Sequence, residues 1–268
     1  MIHTYWPIEI ISDDLDGGST NPWKVAAIRL QDSTRVELVI KIFSKEQQEF
    51  YQPTAKEVIG YKVAEMFDFR VPKIGMVEIH DDFMEVLTDP QRNRLLESNA
   101  RHHLGIEWID QAQSITIDLL PKNFLRQFDL PIVYAMDHFM WNTDRNKTKP
   151  NLLIKGGELW PIDHEMCFPL TNTIHIENFE QAGVWGYPSQ NHLFYAYLKR
   201  IQSSKKEDLF ADISEYLRTI NTREITVICD ELAKFGVENS NTNVIIQQMQ
   251  SIKRTSAGFI NALIQGIL

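Results

Sequence analysis

Between Trp141 and Pro169 the chain reads WNTDRNKTKPNLLIKGGELWPIDHEMCFP. Asp144 stands on a polar turn after an apolar run, and Asn151 follows seven residues later at the head of a strand, Leu152-Leu153-Ile154. Gly156-Gly157 turns that strand back into Leu159-Trp160-Pro161-Ile162, which delivers a second acid, Asp163. A hairpin of this kind gathers Asp144, Asn151 and Asp163 at one mouth. Phosphoryl transfer from ATP needs such a set: one carboxylate to orient the attacking hydroxyl, and a carboxamide with a second carboxylate to hold Mg²⁺ against the phosphates. Oxygen donors suit a hard ion that keeps several waters. Taken alone, Asp144 reads as an ordinary surface turn, and it is the joint pattern that carries the chemistry.

These residues resemble the HipA-like kinases and, more distantly, the phosphatidylinositol kinases. Asn142-Thr143-Asp144-Arg145 is similar to the catalytic loop of that superfamily, Pro150-Asn151-Leu152-Leu153-Ile154 to its metal-binding asparagine and following strand, and Ile162-Asp163-His164 with Phe168 to the position of Asp-Phe-Gly. The chain departs from protein kinases in two places. The aspartate–asparagine interval is seven residues where theirs is five, and His164-Glu165 stands where Phe-Gly is usual. Two added loop residues cost little, so Asn151 is retained as the metal ligand, with Asn146 as the fallback.

The resemblance implies an α+β, bilobal protein kinase-like fold, with a β-rich small lobe over residues 1–105 and a mainly helical large lobe over 106–268. It implies Asp144 as the catalytic aspartate and Asn151 and Asp163 as Mg²⁺ ligands. Arg145 either steadies the loop or touches the γ-phosphate. Glu107, Trp108 and Ile109, in the segment Gly105–Ile109, resemble the hinge that receives adenine. A protein Ser/Thr acceptor, an antitoxin partner and the cofactors ATP and Mg²⁺ follow from the same likeness. A lipid headgroup is the weaker acceptor. A pseudokinase, or a metal-dependent hydrolase using His138 or His164, is the alternative reading.

Other elements must position this set. Ile8–Ile11 reads as the end of a strand, and Asp13–Pro22 as a loop in which Gly17, Gly18 and Ser19 offer backbone amides to phosphates. Trp23–Leu30 and Val36–Phe43 read as strands around a turn at Gln31–Thr34. Lys41 lies between Ile40 and Ile42, a costly site for a cation unless it meets negative charge, and an edge-strand lysine guarding against aggregation is the equal alternative. Thr54–Phe67 has helical apolar spacing, with Glu57 in its first turn. Glu57 either pairs with Lys41, as kinases require, or closes a capping box onto Thr54.

Downstream, Lys73–Val77 and Phe83–Val86 are expected to be strands, Asp89–Leu104 a polar surface helix, and Pro131–Met140 a buried helix ending beside Asp144. His138 reads as a core histidine. Asn172–Gln190 is expected to be a long loop over the cleft mouth, in which Trp185 and Tyr187 either contact a substrate or staple the loop down. Helices are expected over Thr222–Phe235 and Asn243–Leu263. The cluster Lys199, Arg200, Lys205 and Lys206 reads as a solvated helix end.

Composition agrees with a folded protein: 268 residues, 43% hydrophobic, 24% charged. A net charge of −9 argues against extended nucleic-acid contact. Two cysteines, Cys167 and Cys229, give no disulfide framework or zinc cluster and suit a reducing cytoplasm. No apolar run reaches membrane-spanning length and no signal-peptide layout opens the chain, so no membrane partner is expected.

Overall fold

Alternation in Trp23-Lys24-Val25-Ala26-Ala27 and in Leu38-Val39-Ile40 turns every second side chain toward one interior, and strands of that pattern build the first unit. The structure is a computed structural model that describes residues 2–13, 15, 20–115, 122–169 and 172–268. It divides into two compact units, of which the first comprises Met1–Val58, Pro72–Gln111 and Val227–Asn239. Here β1 (His3–Ser12), β2 (Trp23–Arg29) and β3 (Thr34–Lys41) precede α1 (Lys45–Tyr51) and the start of α2 (Pro53–Met66), whose residues from Ile59 on belong to the second unit. After them come β4 (Ile74–Glu78), α3 (Asp81–Glu85), α4 (Asp89–Ser98) and β5 (His102–Glu107). The strands close into a barrel in the order β1-β2-β3-β5-β4, with only the β1–β4 pair parallel. Tyr5, Trp23, Val25, Leu38, Ile40 and Val77 fill it.

Two expectations about this unit fail. Residues 83–86 are not a strand: Phe83 belongs to α3, which His80 caps by accepting from the Phe83 amide at 3.2 Å. Asp81 and Asp82 favour the N-terminal end of that helix, and Phe83 drops into the barrel core. The helix starting at Asp89 stops at Ser98 because Asn99 takes a left-handed C-cap (φ 50°). Residues 102–107 then join the sheet. Nor is α4 wholly superficial, since Leu95 packs into the core.

The second unit comprises Ile59–Val71, Ala112–Thr226 and Ser240–Leu268. It holds β6 (Gln113–Ser114), α5 (Lys122–Leu125), α6 (Leu130–Met140), β7 (Leu152–Lys155), β8 (Glu158–Pro161), α7 (Asn172–Ala182) and α8 (Tyr195–Lys199). Further on are α9 (Ile213–Thr219), the start of α10 (Thr222–Ala233), whose residues from Val227 on belong to the first unit, α11 (Thr242–Arg254) and α12 (Ser256–Gly266). Its core is α6, where Val133, Tyr134, Ala135, Met136, Phe139 and Met140 are buried. Phe67 lies against Phe139 at 5.7 Å and stacks on Tyr216 at 5.6 Å.

Residues 172–182 form α7 in place of the expected loop. Ile176 and Phe179 lie one turn apart and are buried, while Glu180 pairs with Arg254 of α11 at 2.7 Å. The predicted helix over 243–263 is broken at Thr255 into α11 and α12. Lys206, read as solvated, is buried, and its ammonium donates to the Ile267 carbonyl at 2.7 Å. Among the described residues no helix is long and apolar enough to cross a membrane.

Candidate active site

The candidate catalytic loop hangs from the end of α6 in the second unit. Trp141 turns the chain out of the helix in a left-handed conformation (φ 55°), and the Asn142 amide donates back to the Asp137 carbonyl at 2.8 Å. Asp137 is a carboxylate inside an apolar helix, with no exposed surface. It accepts from Arg145 Nε at 2.6 Å, from Asn142 Nδ2 at 3.1 Å and from His192 Nε2 at 3.0 Å. Burial pushes its pKa up, but the Arg145 guanidinium and His192 outweigh that and hold the carboxyl below its ordinary value.

Arg145 is itself wholly buried, and its Nη1 donates to the Asn151 and Pro150 carbonyls. These bonds tie the Arg145 side chain to the loop and to α6. Tyr187 donates its hydroxyl to the Asn142 carbonyl at 2.6 Å, and the Leu193 amide donates to that of Arg145 at 3.1 Å.

Asp144 emerges from this anchored loop half-buried. Asn151 Nδ2 donates to its carboxylate at 3.3 Å, and Lys149 Nζ lies 3.7 Å away. Burial raises the Asp144 pKa; Lys149 lowers it, the negative charge of Asp163 raises it, and the Asn151 hydrogen bond lowers it, leaving it above the ordinary value. The loop thus brings Asn151 to Asp144 across the seven-residue interval. Asn146, the fallback ligand, spends its carbonyl oxygen on Thr148 and Lys149 within the loop and donates Nδ2 to the Asp144 carbonyl.

The hairpin pairs Leu152 with Pro161 and Lys155 with Glu158. Its turn is Gly156-Gly157, both with φ positive (61° and 81°), as a tight two-residue hairpin requires. Asn151 (φ 46°) and Asp163 (φ 60°) flank the open end in left-handed conformations that Asn and Asp tolerate better than most residues. His164 turns inward, is fully buried, and meets Tyr61 edge-on at 4.9 Å.

Gly60 of α2 makes that approach possible: a Cβ there would lie 2.2 Å from the His164 Cβ. Gly60→Ala therefore displaces the segment that carries Asp163. We expect a stability loss of about 1–3 kcal/mol from overpacking together with a fall in turnover, measured by thermal unfolding and by transfer assay. His138, the other histidine of the hydrolase alternative, is buried between Tyr134 (4.1 Å) and Tyr187 (3.8 Å) as a core residue.

In the first unit, Lys41 is not a solvated edge residue. It is nearly buried, with its ammonium 3.3 Å from the fully buried Glu57 carboxylate. α2 begins at Pro53, so Glu57 faces the β3 lysine. In the proposed hinge, the Glu107 amide donates to the Lys73 carbonyl and the Trp108 amide to that of Glu37, both at 2.8 Å. The Glu107 carboxylate takes Arg29 at 2.5 Å and Tyr5 at 3.1 Å, and Trp108 lies under Lys24 at 4.2 Å. Those two amides are committed to the sheet, and Ile109, half-buried, follows them. Gly17, Gly18 and Ser19 lie outside the described residues.

Asp137, His192 and Gly60 were not picked out from the sequence as parts of this site, and Tyr187 was read only as a substrate contact or a loop staple. Only Asp137 carried a signal there, as a lone carboxylate in an apolar helix that has to find partners.

A buried aspartate-anchored loop, a hairpin ending in Asn and Asp, and a lysine–glutamate pair are the parts that phosphoryl-transfer enzymes use. The model of the HipA-like kinase family matches residues 12–253, and the chain belongs to that family. The family's activity is kinase-type phosphotransfer. No curated protein matches the chain.

Proposed function

We propose that the protein is an ATP- and Mg²⁺-dependent phosphotransferase acting on a protein Ser/Thr hydroxyl. The observation that carries this reading is the Asn151–Asp144 hydrogen bond of 3.3 Å at the mouth of a hairpin whose other strand leads to Asp163. Asp144 orients the acceptor hydroxyl and takes its proton. Asn151 and Asp163 offer one neutral and one anionic oxygen donor, a set that fits a hard divalent ion, and they would hold Mg²⁺. The ion supplies charge neutralisation for the transferred phosphate.

Lys41, oriented by Glu57, neutralises the α- and β-phosphates. The Gly17-Gly18-Ser19 loop covers them, and the backbone at Glu107–Ile109 takes the adenine. Arg145 acts through the loop as a positioning residue. The β-barrel unit and the helix-rich unit support the small and large lobes of a kinase-like fold, read as 1–105 and 106–268. The family likeness is the support for a protein acceptor, an antitoxin partner and a cytoplasmic setting.

The test is transfer of label from γ-labelled Mg²⁺-ATP to protein, lipid or water, with protein labelling expected. Lys41→Met should raise the KM for ATP about 10–100-fold, the range of a charged hydrogen bond worth about 1.5–3 kcal/mol. The same change withdraws a cation from a buried glutamate and lowers stability. The double variant Lys41→Met/Glu57→Gln should recover stability without recovering ATP use, which separates the two effects by calorimetry and kinetics.

A further inference from the structure

Beside the candidate catalytic loop, and wholly within the second unit, lies a cavity of about 490 Å³. One wall is the loop itself, with Thr143 and Asn146 flanking Asp144 and Lys147 beyond them. The other is the segment entering α8, with Asn191, His192 and Tyr195. The volume falls in the range of roughly 300–1,000 Å³ typical of ligand sites.

The two walls are joined by specific bonds. His192, almost completely buried, reaches Asp137 at 3.0 Å, the same carboxylate that holds Arg145 and Asn142. The Leu193 amide donates to the Arg145 carbonyl at 3.1 Å, and within the loop wall itself Asn146 Nδ2 donates to the Asp144 carbonyl at 3.1 Å. The cavity is therefore fixed in register with the aspartate proposed to act on the acceptor.

Its chemistry departs from that of the chain as a whole, whose net charge is −9. The lining offers hydroxyls, carboxamides and the Lys147 cation, with no carboxylate among the described lining residues. Lys199 adds a second cation at the edge, donating to the Tyr195 hydroxyl at 3.1 Å and lying over its ring. Carboxamides such as that of Asn191 pair equally well with a peptide N–H or C=O. Neither lysine has an ion pair among the described residues, and two such cations attract an anion.

We propose that this cavity is the acceptor subsite, and that it takes a polypeptide segment carrying a carboxylate side chain beside the phosphorylatable Ser or Thr. The proposal rests on the phosphotransferase reading above and specifies the acceptor. Exposed charge pairs are individually weak, so the expected preference for acidic over neutral flanks is roughly three- to tenfold. Charge reversal on the protein should invert it.

The test uses an array of short Ser-containing peptides whose flanking positions are Asp, Ala or Lys. Binding of the full-length protein is measured first without nucleotide, then label transfer with γ-labelled Mg²⁺-ATP, with phosphatidylinositol vesicles as a parallel acceptor. The parent should bind and label the Asp-flanked peptides best, and Lys147→Glu should shift both toward Lys-flanked ones. Lys147 is exposed, so this variant keeps its fold. Binding that ignores flanking charge, a preference that Lys147→Glu leaves unchanged, or label moving to lipid alone overturns the subsite. Charge-dependent binding with no transfer to any acceptor upholds the subsite and overturns the phosphotransferase reading instead.

Discussion

Asp144→Asn is expected to lower phosphoryl transfer by about 10²–10⁴-fold, the contribution of a positioned acid–base group, while nucleotide binding stays within a few-fold of the parent. The carboxamide keeps the size of the side chain and can still meet Asn151, but it takes no proton from the acceptor. Asp163→Asn should behave differently, weakening Mg²⁺-dependent nucleotide binding and turnover together, because its carboxylate is assigned to the ion. Titration calorimetry with and without Mg²⁺, beside a transfer assay, distinguishes the two profiles. Equal transfer by both variants and the parent would remove the hairpin from the chemistry altogether.

The second large effect is on folding. Asp137→Asn leaves the Arg145 guanidinium buried without its counter-charge and weakens the bond to His192. Breaking a buried pair on one side costs about 3–5 kcal/mol, which for a chain of this length corresponds to a drop in Tm of roughly 6–20 °C. The pH dependence carries a sign. The folded-state pKa of Asp137 lies below its ordinary value, so the group contributes stability above the ordinary carboxylate range. That contribution is lost as the pH falls through the depressed folded value. The Asn variant should lack this part of the acid-side slope, and unfolding midpoints across pH 2–6 in denaturant measure it.

The hairpin that carries the candidate site was more legible in the sequence than several elements around it. The hairpin between Asn151 and Asp163 was readable because polar residues at fixed offsets around a Gly-Gly turn allow few structures, and it formed as expected. The α6 and α2 helices were readable from apolar spacing. Residues 83–86 and 172–182 were misread for different reasons. Phe83 belongs to a helix of a single turn, capped by a histidine ring. The α7 helix is fixed largely by Glu180 meeting Ser251 and Arg254, more than seventy residues away in the chain. Partners that remote leave no local trace. The Asp137–Arg145–His192 cluster was half visible: the lone carboxylate announced a need, but nothing near it named His192 as one of the residues that meets it.

The backbone at the hairpin mouth has an evolutionary consequence. Asn151 and Asp163 both sit at positive φ, where the chain itself favours Asn, Asp or Gly whatever the side chain does. Selection for the turn alone would thus retain both residues in a descendant that had abandoned catalysis. Asp144 is not among the positive-φ residues, so its backbone suits almost any substitution. In a lineage drifting toward a pure binding role, the first letter to change is Asp144, and the two that look most like a metal site are the last.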